Sequence, residues 1–295
     1  MAQPLIGCSG WDYIDSVEKG GWVGSFYPAS HTKRLQYYSQ FFPTVEIEDT
    51  FCDNIYSRMT KRTFYDMAKA VANNFQFSVK VPENITHIKR LDSRRHATVA
   101  FQNFLHKISP LKDANKLGAI SLQLPSSFTI NEFKQIEGFL DKLPLGYDYA
   151  IGFHHSSWRI EESLNMLRHY NIAVVIMDSP DLQPKHLSNI TMTADHLLIR
   201  FHDLMNEPRS NYLYSEDQLR VWADKINQLR KDPEIKILRL YFNNHYGGKA
   251  IANAIQLKEM VGGKLSTKEQ KMQRKVLDAI SKVDAQKQFV DFSEA

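Results

Sequence analysis

The sequence predicts an α/β protein built as a TIM-type (β/α)8 barrel, with a short or missing sixth helix and a helical extension at the C-terminus. Eight short apolar segments alternate with longer amphipathic ones. Such alternation is typical of a parallel sheet, and eight strands can close into a barrel. The alternative is an open, doubly wound sheet, but no glycine-rich nucleotide-binding motif follows any of the apolar segments.

The predicted strands are short runs rich in branched and aromatic residues. They are PLIGCS (4–9), TVEIE (44–48), FQFSVKV (75–81), AISLQL (119–124), YAIGFH (149–154), AVVIMD (173–178), LLIRFH (197–202) and ILRLYFN (237–243).

Amphipathic segments that predict helices follow most of these strands. They are TKRLQYYSQFF, SRMTKRTFYDMAKAVANN, RRHATVAFQNFLHKI, NEFKQIEGFLDKL, ESLNMLRHY, SEDQLRVWADKINQL and GKAIANAIQLKEM. The sixth interval, PDLQPKHLSNITMTAD, contains two prolines and lacks apolar periodicity, so its helix is expected to be short or missing.

We assign residues 1–261 to the barrel and residues 262–295 to a charged helical extension. In the extension, Met272, Val276, Ile280 and Val283 recur at helical spacing. This stripe predicts packing against the barrel or against a partner.

Composition bounds the function. The chain has 295 residues, 43% hydrophobic and 24% charged, as expected for a globular protein. The net charge of +4 is too small to indicate nucleic-acid binding by itself, although it does not exclude it. Cys8 and Cys52 are the only cysteines, which excludes a disulfide-rich scaffold. With no signal-peptide pattern and no apolar run long enough for a bilayer, we expect a cytoplasmic protein without a membrane partner.

The strands carry polar residues on the face that should point into the barrel. In FQFSVKV, for example, the phenylalanines and valines form the outward set. The side chains predicted to point inward are Glu46, Glu48, Gln76, Ser78, Lys80, Ser121, Gln123, Gly152, His154, Asp178, Arg200, His202, Arg239, Tyr241 and Asn243. Burying so many polar groups is costly unless they pair, are solvated or hold a ligand.

Most of the ionisable members stand at the carboxyl ends of their strands, where barrel enzymes build active sites. The candidate catalytic residues are Glu46, Glu48, His154, Asp178 and His202, and the candidate substrate-binding residues are Ser9, Trp11, Lys80, Gln123, Arg200, Tyr241, Asn243 and Asn244. Each has a structural alternative. The glutamates could pair with Lys80 and Arg200, and Trp11 could anchor the first loop instead of stacking on a sugar or base.

The sequence leaves a bound metal and a bound anion as two further alternatives. A divalent metal could be held by the histidines together with Glu46 and Asp178, but no metal-binding motif supports this, and the metal ligands are not identified. Arg200 and the start of the helix after YFNNHYGG predict an anion pocket at the position where many barrels bind phosphate.

Eight ordered motifs resemble those of the YecE-like family, the uncharacterised TIM barrels known as domain of unknown function 72. They are GCSGW, WVGSFYP, VEIEDTF, FSVKVPENITHIKRL, LGAISLQLPSSF, HHSSW, IRFHD and YFNNHYGGKAIANA, between residues 7 and 254. The resemblance implies the barrel fold and no particular reaction. The chain departs from the family pattern at Gly152 and His154, where the family tends to have Glu and Arg, and at Glu48, where it tends to have Asn.

The sequence supports three functions. The first is an enzyme of the hydrolase, lyase or isomerase class that acts on a small sugar-like or phosphorylated molecule, with Glu46 or Glu48 as acid or base. The second is a ligand-binding or regulatory barrel whose site is degenerate, with Gly152 marking a lost carboxylate. The third is a nucleic-acid-processing protein. Neither the substrate nor the oligomeric state can be read from the sequence.

Overall fold

Eight parallel strands close into a barrel in chain order in the computed structural model, which describes residues 1–178, 190–201 and 210–293. The strands are β1 (Pro4–Ser9), β2 (Thr44–Ile47), β3 (Gln76–Lys80), β4 (Leu117–Gln123), β5 (Asp148–Gly152), β6 (Ala173–Asp178), β7 (His196–Phe201) and β8 (Ile237–Phe242). The ring closes where β1 pairs with β8. The predicted barrel is therefore confirmed.

Helices surround the barrel. They are α1 (Arg34–Tyr38), α2 (Asp53–Tyr56), α3 (Lys61–Lys69), α4 (Ala97–Asp113), α5 (Phe133–Leu140), α6 (Glu161–His169), α7 (Glu216–Leu229), α8 (Lys249–Met260) and α9 (Thr267–Ser293). Each of the seven predicted helical segments overlaps one of them, although α4 continues five residues beyond its predicted segment. The prediction for the sixth interval falls largely on residues 179–189, outside the described residues.

Local sequence explains where α7 begins. Ser215 accepts a hydrogen bond from the Gln218 amide, and Gln218 accepts one from the Ser215 amide, which completes a capping box. Two acidic residues in the first turn favour the same end of the helix. Leu219, Trp222 and Ile226 then face the barrel, as their helical spacing predicts.

The barrel interior, or lumen, has layers of different chemistry. At the amino end, Arg239 donates to Gln76 and Asp148 at 3.1 and 2.8 Å. The middle layer is mostly apolar and consists of Ala119, Ala150, Ala173, Val175, Leu198 and Tyr241. The Tyr241 hydroxyl lies 2.8 Å from Thr44 Oγ1 and 2.7 Å from Ser78 Oγ. Above it, toward the carboxyl ends of the strands, the lumen is charged.

The C-terminal extension is a helix, α9, that packs on α8 and on the first loop of the barrel. Met272, Val276, Ile280 and Val283, the four residues of the predicted stripe, are all buried. Within the described ranges, no helix combines the length and apolarity that a bilayer crossing would need.

Candidate functional site

The site is built at the carboxyl rim, by which we mean the carboxyl ends of the strands and the loops that follow them. Four charged side chains meet there: Glu46 of β2, Glu48 just after it, Lys80 of β3 and Arg200 of β7. We call these four residues the charge network. Strand alternation places all of them on the lumen side, as predicted, and Ser9 lies in register with Glu46 on β1.

Hydrogen bonds connect the four residues of the charge network in the order Glu46, Arg200, Glu48 and Lys80. Glu46 Oε2 accepts from Ser9 Oγ at 2.7 Å and from Arg200 Nε at 3.0 Å. Arg200 Nη2 donates to Glu48 Oε1 at 2.7 Å, and Lys80 Nζ reaches the same oxygen at 3.3 Å. Arg200 therefore bridges the two glutamates, and Glu48 lies between two cations.

Exposure increases from the bottom of the charge network to its top. The Glu46 side chain is 0% exposed, Lys80 13% and Glu48 25%. Burial acts to raise the pKa of Glu48, but Lys80, Arg200 and His245 outweigh it and lower the pKa from 4.5 to about 2. Glu48 is therefore ionised near neutral pH and is a weak base. The pKa of Arg200 is raised because the two glutamates outweigh its burial.

Among the buried acceptor oxygens that lack a hydrogen-bond partner within the described chain, two belong to lumen residues of β2 and β4. One is Glu46 Oε1, and the other is Gln123 Oε1, whose Nε2 donates to Ser121 Oγ at 2.8 Å. The Gln123 amide occupies the space that a side chain at position 152 would need, since a Cβ on Gly152 would lie 2.3 Å from Gln123 Oε1. The lumen position left by Gly152 is thus filled by a neutral amide.

A histidine that the sequence reasoning missed, His245, belongs to this rim. Its ring stacks on Tyr13 with centroids 4.5 Å apart, and its carbonyl accepts from Trp22 Nε1 at 2.7 Å. Burial lowers its pKa, whereas Glu48 acts to raise it. His245 Nδ1 is buried and, among the described residues, unpartnered. The signal available was its place in the NNHYGG stretch after β8.

The other predicted histidines differ in what can be said of them. His154 is largely exposed at the rim, and the partial burial of its ring, together with Arg200 and Lys80, lowers its pKa. It is thus neutral near neutral pH and able to accept a proton. His202 lies outside the described residues.

Asp178 does not point into the lumen, contrary to the prediction. Met177, not Asp178, is in register with Arg200, so Asp178 shares the outer face with Phe201. Its carboxylate accepts hydrogen bonds from Trp222 and Tyr214, which both lie outside the sheet. Burial raises its pKa from 3.8 to about 6 in spite of these bonds. Asp178 therefore links β6 to α7 and is not a lumen acid.

Three predicted binding residues are placed away from the charge network. Tyr241 lies one layer below it. Asn244 donates to the Tyr212 carbonyl and to Asn253 Oδ1, both at 2.8 Å. Trp11 is buried in the outer core. The contacts of these three side chains are within the fold, while Asn243 is buried at the end of β8, next to the site.

The amides of the turn that leads into α8 are not available to the predicted anion pocket. The amides of Tyr246, Gly247, Gly248 and Lys249 already donate to backbone carbonyls. Lys249 Nζ donates to Asn211, and Arg200 Nε and Nη2 donate to the two glutamates. Throughout the described ranges, no three His, Cys, Asp or Glu side chains are grouped so that they could hold a metal ion.

Comparisons with known proteins identify relatives of the chain. A family model described as "Protein of unknown function DUF72" matches residues 5–275. The UPF0759 protein YunF of Bacillus subtilis is 26% identical over 284 residues, covering 87% of this chain and 94% of the relative. The UPF0759 protein YecE of Escherichia coli K12 is 26% identical over 215 residues, covering 66% and 74%.

Solved structures agree with the fold. A DUF72 family protein from Thermotoga maritima is 28% identical, with a TM-score of 0.72, and the match covers 88% of this chain and 99% of that one. A DUF72 family protein from Enterococcus faecalis is 21% identical with a TM-score of 0.67, covering 90% and 97%, and supports the fold alone.

Proposed function

The chain belongs to the DUF72 family, which is described as having unknown function, and from that premise we propose that it is an enzyme performing acid–base chemistry on a small polar molecule. The molecule enters at the carboxyl rim and meets the charge network. The reaction class is hydrolysis, elimination or isomerisation, because each of these needs a proton to be moved at the substrate.

The observation that carries the proposal is the contrast between two layers of one lumen. The middle layer is filled mainly by Ala, Val and Leu, which shows that this barrel can be packed with apolar side chains at that depth. The layer above it holds two carboxylates and two cations, whose burial costs more than such packing returns. Because this charged layer lies at the end where barrels build their active sites, we attribute it to catalysis.

The residues divide into roles. Glu46 is the candidate acid or base, because its Oε1 is unpartnered within the described chain while Ser9 and Arg200 fix its other oxygen. Lys80 is positioned to stabilise negative charge developing on a substrate oxygen. His245 and His154, both with lowered pKa values, can accept a proton near neutral pH. Glu48 holds Lys80 and Arg200 in place and stabilises a protonated His245.

The test does not require the substrate to be known beforehand. The purified protein is incubated in D2O with pools of sugars, polyols and sugar phosphates, and each pool is followed by NMR and mass spectrometry for deuterium uptake or new products. We expect at least one pool to change. In Glu46→Gln the rate should fall by roughly 10² to 10⁴-fold while the fold is retained.

The matched control is Glu162→Gln, an exposed glutamate of α6, which should keep the wild-type rate. A Glu46→Gln variant that turns over at the wild-type rate would remove Glu46 from the chemistry. Ser9→Ala provides a milder change of the same carboxylate if Glu46→Gln does not fold.

A ligand-binding barrel without catalysis is the second candidate. It is favoured by β5, whose lumen residues Ala150 and Gly152 bring no ionisable group to the site, and by the neutral Gln123 amide that fills the gap. The same experiment separates the candidates, because ligands that raise the melting temperature without being converted in any pool would favour binding alone.

A further inference from the structure

The charge network also bears on the class of ligand. Resting on the function proposed above, we infer that the ligand is an uncharged polyhydroxylated molecule, a free sugar or polyol, and that its phosphorylated and carboxylated counterparts are excluded. This goes beyond the sequence, which left sugar-like and phosphorylated molecules equally open.

The charge network is formally neutral. Glu46 and Glu48 carry two negative charges, and Lys80 and Arg200 carry two positive ones, so the network is neutral as a whole. The neighbouring histidines add no charge near neutral pH, because burial lowers the pKa values of His154 and His245. A phosphate would therefore lose its hydration shell without meeting a compensating positive field.

Proteins bind anions mainly through guanidinium groups and through backbone amides at helix N-termini. Bidentate recognition of a phosphate or carboxylate uses two N–H groups along one edge of a guanidinium, and the Nε–Nη2 edge of Arg200 already donates to the two glutamates. Lys80 Nζ is likewise paired with Glu48 Oε1 at 3.3 Å. In the turn that leads into α8, the backbone amides from Tyr246 to Lys249 donate to backbone carbonyls. Asp49 follows Glu48 directly after β2 and adds a further carboxyl group beside the network, with a pKa that burial, Asp12 and Glu48 raise.

Hydrogen-bond acceptors that lack a donor also favour a neutral ligand. Glu46 Oε1 and Gln123 Oε1 are both buried and, within the described chain, unpartnered. A buried acceptor without a donor is costly, and a carboxylate oxygen especially so. Both atoms call for a ligand that donates hydrogen bonds. Hydroxyl groups do so without charge, whereas an ammonium group would bring an unbalanced positive charge into a neutral network.

Gln123 is the residue that sets this preference. Its amide is held at one end by Ser121 Oγ and lies against Gly152, where no side chain competes for the space. Hydroxyls entering from the rim can then donate one hydrogen bond to Gln123 Oε1 and another to Glu46 Oε1. Neither interaction requires the ligand to carry charge.

The experiment uses chemically matched ligands. Thermal melts of the full chain are recorded near neutral pH with free sugars and polyols, each beside its phosphate ester, its uronic acid and its amino derivative, and with inorganic phosphate alone. We expect one or more neutral compounds to raise the melting temperature and their phosphate esters to have no effect. Calorimetry then gives the dissociation constant of the best neutral compound.

Two variants sharpen the test. Gln123→Met keeps the side-chain length but removes the acceptor, and should weaken binding of the neutral compound by roughly tenfold. Glu48→Gln leaves the network with one net positive charge, so the phosphate ester should begin to bind. Gln76→Met is the matched control at the other end of the lumen, where Gln76 accepts from Arg239, and should leave the affinity unchanged.

The outcomes separate this inference from the proposed function. Stabilisation by phosphate esters, uronic acids or amino sugars in preference to the neutral parents would overturn the ligand class, as would the absence of stabilisation by any compound. Binding of a neutral compound that is never converted would uphold the ligand class and overturn the enzyme. Conversion of a phosphate ester would do the reverse.

Discussion

At Arg200, one guanidinium compensates a fully buried carboxylate, Glu46, and a partly buried one, Glu48, and this makes it the residue on which the candidate site depends most. Its side chain is 5% exposed, so water cannot replace it as a partner for Glu46. The sequence could predict that Arg200 faces Glu46 and Glu48, because strand alternation fixes the direction of all three. It could not predict that Arg200 would donate hydrogen bonds to both glutamates, because those bonds depend on side-chain distances across the lumen.

Replacing Arg200 by Leu should lower the free energy of unfolding by roughly 3–5 kcal/mol near neutral pH, because the glutamates lose their main partner. In the wild type the lowered pKa of Glu48 contributes stability that is present above about pH 4.5 and is lost as the pH falls toward about 2. The difference between variant and wild type should therefore shrink as the pH falls below about 4.5.

Urea unfolding at a series of pH values measures this difference. Combining Arg200→Leu with Glu48→Gln should recover part of the loss, and Arg220→Leu, at an exposed position of α7, should have little effect. A difference that stays constant from neutral pH down to pH 3 would show that packing, and not charge compensation, sets the loss.

At the scale of the elements, periodicity predicts what local chemistry determines and misses what tertiary contacts determine. The strands and helices were predictable because each buries a face whose spacing is visible in the sequence. The phase of β6 was not, because AVVIMD is apolar almost throughout and gives no alternation from which to choose the inner face. The structure sets it by register, with Val175 and Met177 inside and Asp178 outside.

The outward position of Asp178 leads to a stability prediction. Because burial raises its pKa to about 6, the folded chain holds the Asp178 proton more tightly than the unfolded chain, and stability falls as the pH rises from about 3.8 through about 6. Asp178→Asn removes the charge but keeps an acceptor for Trp222 and Tyr214. We expect it to stabilise the protein by about 1–3 kcal/mol above pH 6 and to have no effect at pH 3.5.

Thermal or urea unfolding of Asp178→Asn at both pH values checks this sign. Asp224→Asn, at an exposed position of α7, is the control and should change little at either pH. A loss of stability above pH 6 would mean that the charged carboxylate strengthens the two hydrogen bonds by more than its burial costs.

At the scale of the whole molecule, the first loop of the barrel and the turn after β8 meet beside the candidate site. Trp22 Nε1, in the first loop, donates to the His245 carbonyl, and the Gly247 amide donates to the Gly20 carbonyl at 2.9 Å. Both glycines adopt positive φ angles there. Helix α9 closes this arrangement from outside, with Val276 packed next to Gly248. The stripe on α9 was predictable, but the surface that it covers was not.

This arrangement predicts that a change in α9 reaches the rim. Val276→Asp places a carboxylate where Val276 is fully buried, and should lower the free energy of unfolding by about 3–5 kcal/mol. Because α9 supports the turn Tyr246–Gly248, the amides of Gly247 and Gly248 should lose protection from hydrogen exchange by more than the Leu122 amide in β4 does. Ser281→Asp, on the exposed face of α9, should change neither quantity. Equal loss of protection in β4 and at the rim would mean that α9 stabilises the barrel as a whole and does not hold the His245 loop in particular.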